Sequence, residues 1–364
     1  MVTVEALNAE HGDCLLLHYA LDGVPQLWLI DGGPRRTWNG TLKKRLNQLA
    51  AGRDLDLVTG ERRLPIRLGV VTHIDSDHIA AMSQMVAALL ADPPLSDTPP
   101  VVFDDFWFNG FRQLLADDAD GHVAQITTGL AGLASGGAFL VSVTEGVTLQ
   151  TDLARLKDRN GKNLVLNRQF ADKVQTPFAK EVAGVEVALL GPTQAQLDEL
   201  RKAWAKDRHV SPAELAATER RDDSPTNRSS IAFLASVDGK TILFTGDALA
   251  EDLIAGWNTL ENPPEAIDVM KVPHHGAAGN NSRKLFELIP ARHYILCANG
   301  KDGNPDLATL DMLFQARPDG DYSIHLTTPE SNPGIAGQVT VLNKKAKGRV
   351  IYRGEDALSV SIEP

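Results

Sequence analysis

Four side chains able to bind a metal ion crowd into His73-Ile74-Asp75-Ser76-Asp77-His78, just after the apolar run Leu68-Gly69-Val70-Val71 and Thr72. Imidazole nitrogens and carboxylate oxygens together suit zinc, manganese or iron. The run reads as a buried strand, and Ile79, Met82, Met85, Val86, Leu89 and Leu90 then recur at helical spacing. The cluster therefore occupies a strand-to-helix turn, which can aim several side chains at one point. The competing reading is a polar turn in which Asp77 caps the helix, since aspartate is a favoured N-cap.

The same kind of residue recurs where other strands end. Thr241-Ile242-Leu243-Phe244 runs into Thr245-Gly246-Asp247, and Ile267 to Val272 runs into Pro273-His274-His275-Gly276. Buried charges at three strand ends need a partner, and a dinuclear cation site would serve all of them. Gly12-Asp13 and Asp31-Gly32-Gly33 also put a carboxylate beside permissive backbone, but an Asp-Gly-Gly reads more readily as a turn. Outside these clusters, His11, His18, His122, His209, His293 and His325 read mostly as surface or core residues. His11 stands apart because it adjoins Gly12-Asp13.

The elements that position these residues follow from hydrophobic period and turn chemistry. Three antiparallel strands open the chain: Val2 to Ala9, Cys14 to Tyr19, and Gln26 to Asp31, followed by a helix with Leu42, Leu46 and Leu49 on one face. Val101 to Asn109 reads as one aromatic strand, and a helix is expected to start at Phe111. Residues from about 92 to 183, including Gly129 to Gly137, carry little signal and read as an insertion or lid that sets substrate choice. Order returns with a strand over Gly184–Pro192, a helix bearing Leu197, Leu200 and Trp204, and a charged loop from Asp207 to Asn227. In that loop Arg220-Arg221 reads as a solvated pair, with contact to a substrate phosphate as the alternative. A hairpin turning at Asp238-Gly239-Lys240 follows, then strands alternating with helices, and closing strands at Arg349 to Tyr352 and Leu358 to Ile362. The pattern predicts an α/β protein of two packed sheets flanked by helices.

With 364 residues, 43% of them hydrophobic, the chain can bury a sizeable core, and a single domain over 1–364 is expected. A net charge of -11 argues against an extended basic surface for duplex nucleic acid, though bound cations could still admit a phosphodiester. No stretch approaches the roughly 20 apolar residues of a membrane span, and the first residues alternate like a strand, so a cytoplasmic protein without membrane contact is expected. Cys14 and Cys297 lie in apolar runs and read as buried free thiols in a reducing compartment.

Taken together, Thr72 to His78 resembles the His-x-His-x-Asp-His signature of the metallo-β-lactamase superfamily, with Asp75 in place of the second histidine. That substitution is similar to the branch containing the metallo-hydrolase domain of bacterial DNA-uptake (competence) channel proteins and their stand-alone soluble relatives. Gly12-Asp13, Ile30 to Gly33, Asn227 to Ser230, Thr245 to Asp247 and Val272 to Gly276 match further motifs of that branch. No transmembrane channel is expected from these residues, so the resemblance does not imply DNA uptake.

The resemblance implies a four-layer αβ/βα sandwich and two divalent metal ions, zinc or manganese. Asp247 would bridge them, His73 and Asp75 would complete the first site, and Asp77, His78 and His274 would form the second. Which of His274 and His275 binds metal stays open; His274 is favoured because it follows the strand end directly. Asn227 stands where the superfamily usually supplies a further histidine, which implies a first site that is weak, water-filled or manganese-selective. The implied chemistry is metal-assisted hydrolysis, in which a metal-bound hydroxide attacks, Asp77 orients it, and Asn227, Ser229 or His275 donates to the developing oxyanion. The expected function is that of a phosphodiesterase or nuclease acting on single-stranded nucleic acid or a nucleotide. Hydrolysis of a carboxylic ester, thioester or lactam, or a non-catalytic metal-binding effector module, are the alternatives.

Overall fold

Period-two alternation divides the long strands between two faces, and both faces are apolar. In β2 (Leu15–Leu21), which follows β1 (Thr3–Leu7), Leu15, Leu17 and Tyr19 point one way and Leu16 the other. In β3 (Val24–Ile30), Trp28 and Ile30 oppose Leu27 and Leu29. A sheet apolar on both faces must be covered on both, which dictates a layered architecture.

The computed structural model describes residues 1–53, 63–93, 95–115, 137–206, 222–346 and 348–364. His122, residues 129–136, His209 and the Arg220-Arg221 pair lie outside them. The remaining strands are β4 (Leu64–Ile66), β5 (Leu68–Val70), β6 (Val101–Phe103), β7 (Phe106–Trp107), β8 (Ala179–Val182), β9 (Val185–Gly191), β10 (Ala232–Val237), β11 (Lys240–Phe244), β12 (Ile267–Lys271), β13 (Ala291–Leu296), β14 (Ser323–Leu326), β15 (Val350–Tyr352) and β16 (Ser359–Ile362). They form a six-stranded sheet, β16-β1-β2-β3-β5-β7, and an eight-stranded sheet, β15-β14-β13-β12-β11-β10-β9-β8, with β4 and β6 as a separate pair.

Three apolar cores separate four layers. Between the sheets, Leu17, Trp28, Ile30 and Val70 meet Val187, Phe233, Phe244 and Val269. On the outer face of the first sheet, Leu16 and Leu29 pack with Ile79, Met82 and Met85 of the Ser76–Leu89 helix. Outside the second sheet, Leu243, Met270 and Tyr294 pack with Leu253, Phe286 and Leu310 from three helices. This is the four-layer αβ/βα sandwich. Among the described residues no helix is long and apolar enough to cross a membrane. Cys14 and Cys297 are buried free thiols, as expected.

The expected strand over Val101–Asn109 is instead two short ones, in different sheets. Phe103 and Phe106 both enter the core under the helices, whereas Trp107 lies between the sheets. Residues three apart face opposite ways on a continuous strand, so Asp104-Asp105 must break the register for this to happen. A helix over Gly137–Leu153, unannounced by the sequence pattern, packs along the Ser76–Leu89 helix; a Cβ at Gly146 would lie 3.6 Å from Ile74.

Register then places the chemistry. β3 runs parallel to β5 with Ile30 beside Val70, and β11 parallel to β12 with Leu243 beside Met270. Asp31 and Thr72-His73 thus leave one sheet together, and Asp247 and His274 the other. The two sets are joined across the sheets by Ile231 N donating to Thr72 O at 2.9 Å.

Candidate metal centre

Asp75, not Asp77, holds the N-cap position of the Ser76–Leu89 helix, and its side chain makes no capping hydrogen bond. The carboxylates of this turn are therefore not consumed by cap chemistry. Asp31 holds the turn from below: its Oδ1 accepts from Thr72 N and its Oδ2 from Thr72 Oγ1, both at 2.8 Å.

Four imidazoles surround one oxygen. The Nε2 atoms of His73, His78, His274 and His275 lie 3.7, 3.2, 3.5 and 3.5 Å from Asp247 Oδ2. On the far side of each ring, Nδ1 faces an acceptor. His78 Nδ1 is 2.9 Å from Asp31 Oδ2, His274 Nδ1 is 2.7 Å from Asn280 Oδ1, and His275 Nδ1 is 2.9 Å from Cys297 O. His73 Nδ1 is 3.0 Å from Thr72 Oγ1, a hydroxyl that already donates to Asp31 and so accepts here. These partners put the ring proton on Nδ1 and leave the Nε2 lone pair aimed inward, as in metal sites whose histidines are fixed by an outer acceptor. The Nε2 atoms of His73, His78 and His275 are buried without a hydrogen-bond partner among the described residues.

Orphaned acceptors converging on a carboxylate oxygen fit a divalent cation. Two ligands each about 2.1 Å from a shared ion stand roughly 3–3.5 Å apart, close to the spacing seen here. Asp75 Oδ2 lies 3.5 Å from His73 Nε2, and Asp77 Oδ2 lies 3.3 Å from His275 Nε2. Around Asp247 the geometry thus pairs His73 with Asp75 and His275 with Asp77, and His78 lies between the two histidines, its ring centroid 4.2 Å from that of His73 and 5.2 Å from that of His275. Side chains of Asp75, Asp77 and His274 are 26%, 26% and 21% exposed, so they form the mouth of an otherwise closed centre.

Beneath it lies an ion pair. Lys271 Nζ is 2.5 Å from Asp13 Oδ2, 3.4 Å from Asp247 Oδ1, and donates to Gly246 O at 2.8 Å. All three side chains are buried to 2% exposure or less. Burial works against the charge on Lys271, but Asp13 and Asp247 hold its pKa above the usual lysine value. Burial likewise pushes the Asp13 carboxyl up, and Lys271 and His275 overcome it, bringing the pKa down to about 2. Asp13, His78, Asp247 and His275 all place a ligand-type atom within 4.8 Å of one another. Asp13 nevertheless belongs to the support, because Lys271 and His275 Nδ1, at 3.2 Å, already face its two oxygens.

The carboxylates also attract protons to the rings. His78 loses basicity by burial, yet Asp247 and Asp31 carry its pKa well above that of free imidazole, and the corresponding balance at His275 puts it at about 9. Protons and a cation therefore compete for the same Nε2 atoms.

Backbone strain accompanies the convergence. His274, His275 and Gly276 have φ of 47°, 54° and 88°, three left-handed residues in succession. Such conformations cost about 1–3 kcal/mol for each non-glycine residue and persist where the surroundings impose them. Here Asn281 Nδ2 donates to Pro273 O and Ala277 O at 2.9 and 2.8 Å, pinning the loop. The turn lets two neighbouring histidines face one oxygen. His275 thereby joins His274 at the centre, in place of a choice between them.

Asn227 is buried in the short Pro225–Arg228 helix, and its Nδ2 donates to Asp222 O at 3.1 Å. Ser229 Oγ donates to Thr226 O. These contacts run within residues 222–229. Ser230, given no role from sequence, accepts from Asp247 N at 3.1 Å and stands 3.3 Å from His73 Nδ1. Asn280 Nδ2 donates to Asp247 O at 2.8 Å.

No family model and no curated protein matches the chain. Among solved structures it is similar to a protein described as a metal-dependent hydrolase from Parabacteroides distasonis ATCC 8503, at 11% identity over 89% of this chain and 92% of that one, with a TM-score of 0.37. It is also similar to Zn(2+)-bound PqqB from Methylobacterium extorquens, at 11% identity over 100% of both chains, with a TM-score of 0.43. The fold rests on the sheet order and layering above, and the centre on its own geometry.

The Gly137–Leu153 helix reaches this centre through Glu145. Its Oε2 accepts from Ser76 Oγ at 3.0 Å, and its Oε1 is 3.5 Å from Arg35. Ser76 stands between Asp75 and Asp77, so this helix helps to fix the metal loop.

Proposed function

We propose that this chain is a metal-dependent hydrolase of the metallo-β-lactamase superfamily acting on phosphodiesters, with single-stranded nucleic acid or nucleotides as the substrate class. The observation that carries this is the ring of four imidazole Nε2 atoms within 3.2–3.7 Å of Asp247 Oδ2, each with its Nδ1 turned to an acceptor. His73 and Asp75 would hold one ion, Asp77 and His78 with the His274-His275 pair the other, and Asp247 both. Such a pair would supply positive charge for an attacking water and for the leaving oxygen.

The remaining tasks fall to the chain. Asp31, Asn280 and Cys297 O keep the rings in the ligating tautomer. Asp77, where burial is outweighed by His275 and His78, has its pKa well below the usual range and stays an acceptor that can orient water at the mouth. The phosphodiester reading is supported by the share of carboxylates at the mouth, since Asp75 and Asp77 favour harder, oxygen-preferring cations. Resemblance to the competence-type branch points the same way.

The test is a substrate panel with zinc or manganese: labelled single-stranded DNA and bis(p-nitrophenyl) phosphate against a chromogenic lactam and a thioester. Turnover of the phosphodiesters at least tenfold faster is expected. Preference for the lactam or thioester would refute the substrate class.

A further inference from the structure

His11 and Lys301 meet at the mouth of the centre from opposite sheets. His11 lies in the loop between β1 and β2, Lys301 in the loop after β13, and Lys301 Nζ is 2.8 Å from His11 Nε2. Both loops are fastened to the metal loops. On one side, Asp13 N donates to Asp77 O at 3.2 Å, and Gly12 lies so close that a Cβ there would sit 2.0 Å from that carbonyl. On the other, Asp306 N donates to Gly276 O at 3.0 Å, and a Cβ at Gly276 would come 2.7 Å from Pro305. His11 accordingly stands within electrostatic reach of Asp77 and His275.

An ammonium can only donate, so His11 Nε2 accepts and the ring proton sits on Nδ1. The partner of Lys301 is thus a neutral ring, and Lys301 has no carboxylate in ion-pair contact among the described residues. It is exposed, beside a mouth that carries the acidic groups Asp75 and Asp77, with Asp222 next to His274. Among the described residues this cation has no ion-pair partner, and its His11 neighbour stands within electrostatic reach of Asp77 at the mouth.

We infer that the His11–Lys301 pair is an anion subsite that receives a second phosphate of the substrate, adjacent to the one cleaved. The ligand class is an organic phosphodiester bearing a further phosphate, such as an oligonucleotide. Lys301 supplies the charge, and His11 holds its ammonium over the mouth. The inference rests on the phosphodiester reading for the identity of the anion.

Calorimetry on the metal-loaded chain tests it with thymidine 3′,5′-bisphosphate and thymidine 5′-monophosphate as probes. The bisphosphate is expected to bind about tenfold more tightly, the scale of one charge-assisted hydrogen bond. Lys301→Ala is expected to bring that ratio to near one, and Lys301→Arg to retain most of it. A native chain that binds neither probe, or a bisphosphate advantage that survives in Lys301→Ala, would overturn the subsite. Turnover of thymidine 5′-(p-nitrophenyl phosphate) is read separately. Absence of turnover with the binding ratio intact would defeat the phosphodiesterase reading and leave the subsite standing.

Discussion

Alanine in place of Asp247 is expected to leave a folded chain that has lost about 10³-fold or more in kcat/KM on any substrate the native protein turns over. All four imidazoles face its Oδ2, and among the described residues no other carboxylate is in ion-pair contact with all four. Losing the charge stabilisation of a metal centre amounts to several kcal/mol, and each 1.4 kcal/mol is tenfold in rate. Lys271 keeps Asp13 as its partner in this variant, which is why folding is expected to survive. Circular dichroism and urea unfolding check the fold, and steady-state kinetics the rate. Activity within tenfold of native would rule out a bridging role for Asp247.

The second large effect is expected in stability. Lys271→Met strands Asp13 and Asp247 in a buried site without their ammonium, and breaking a buried pair by removing one partner costs about 3–5 kcal/mol. Urea unfolding of the variant should show that loss without metal and a smaller one with saturating zinc or manganese, since a bound cation compensates part of the same negative charge. Lys271→Met combined with Asp13→Asn should recover part of the difference, and the double-mutant cycle gives the coupling. A single variant within about 0.5 kcal/mol of native, the usual range for an uninvolved surface position, would show that Lys271 is not the counter-ion.

Lys271 also marks where sequence reasoning stops. Spacing within one turn made His73, Asp75, Asp77 and His78 legible, because ligands on a strand-to-helix turn are neighbours in the chain as well as in space. Asp247 and the His274-His275 pair showed themselves as polar residues closing apolar strands. Asp31 did not, since Asp-Gly-Gly has the chemistry of an ordinary turn, and its two bonds to Thr72 and one to His78 span more than forty residues. Asp13 and Lys271 pair across 258 positions, a distance at which no local pattern operates. A signal for Lys271 was nevertheless present: a lysine within Val269-Met270-Lys271-Val272, a strand apolar on both faces, is expensive to bury unless a carboxylate waits for it.

The choice between His274 and His275 was open for a similar reason. Adjacent residues on an extended strand face opposite ways, so sequence argues for one ligand and one bystander. The left-handed backbone at both positions removes that constraint, and nothing in two histidines and a glycine announces it beyond the glycine itself. The layered fold was easier to read, since alternation along β2, β3 and β10 directly encodes two buried faces. The aromatic stretch around Phe103 to Phe108 was harder, as hydrophobicity alone does not reveal a register break at two aspartates.

Metal content tests the central claim most directly. The native chain, equilibrated with zinc or manganese and freed of excess, should carry two ions per chain by plasma mass spectrometry, and Asp247→Ala one or fewer. A native chain that retains no ion at micromolar metal, with its histidines titrating freely, would contradict the metal centre and with it the hydrolase built on it.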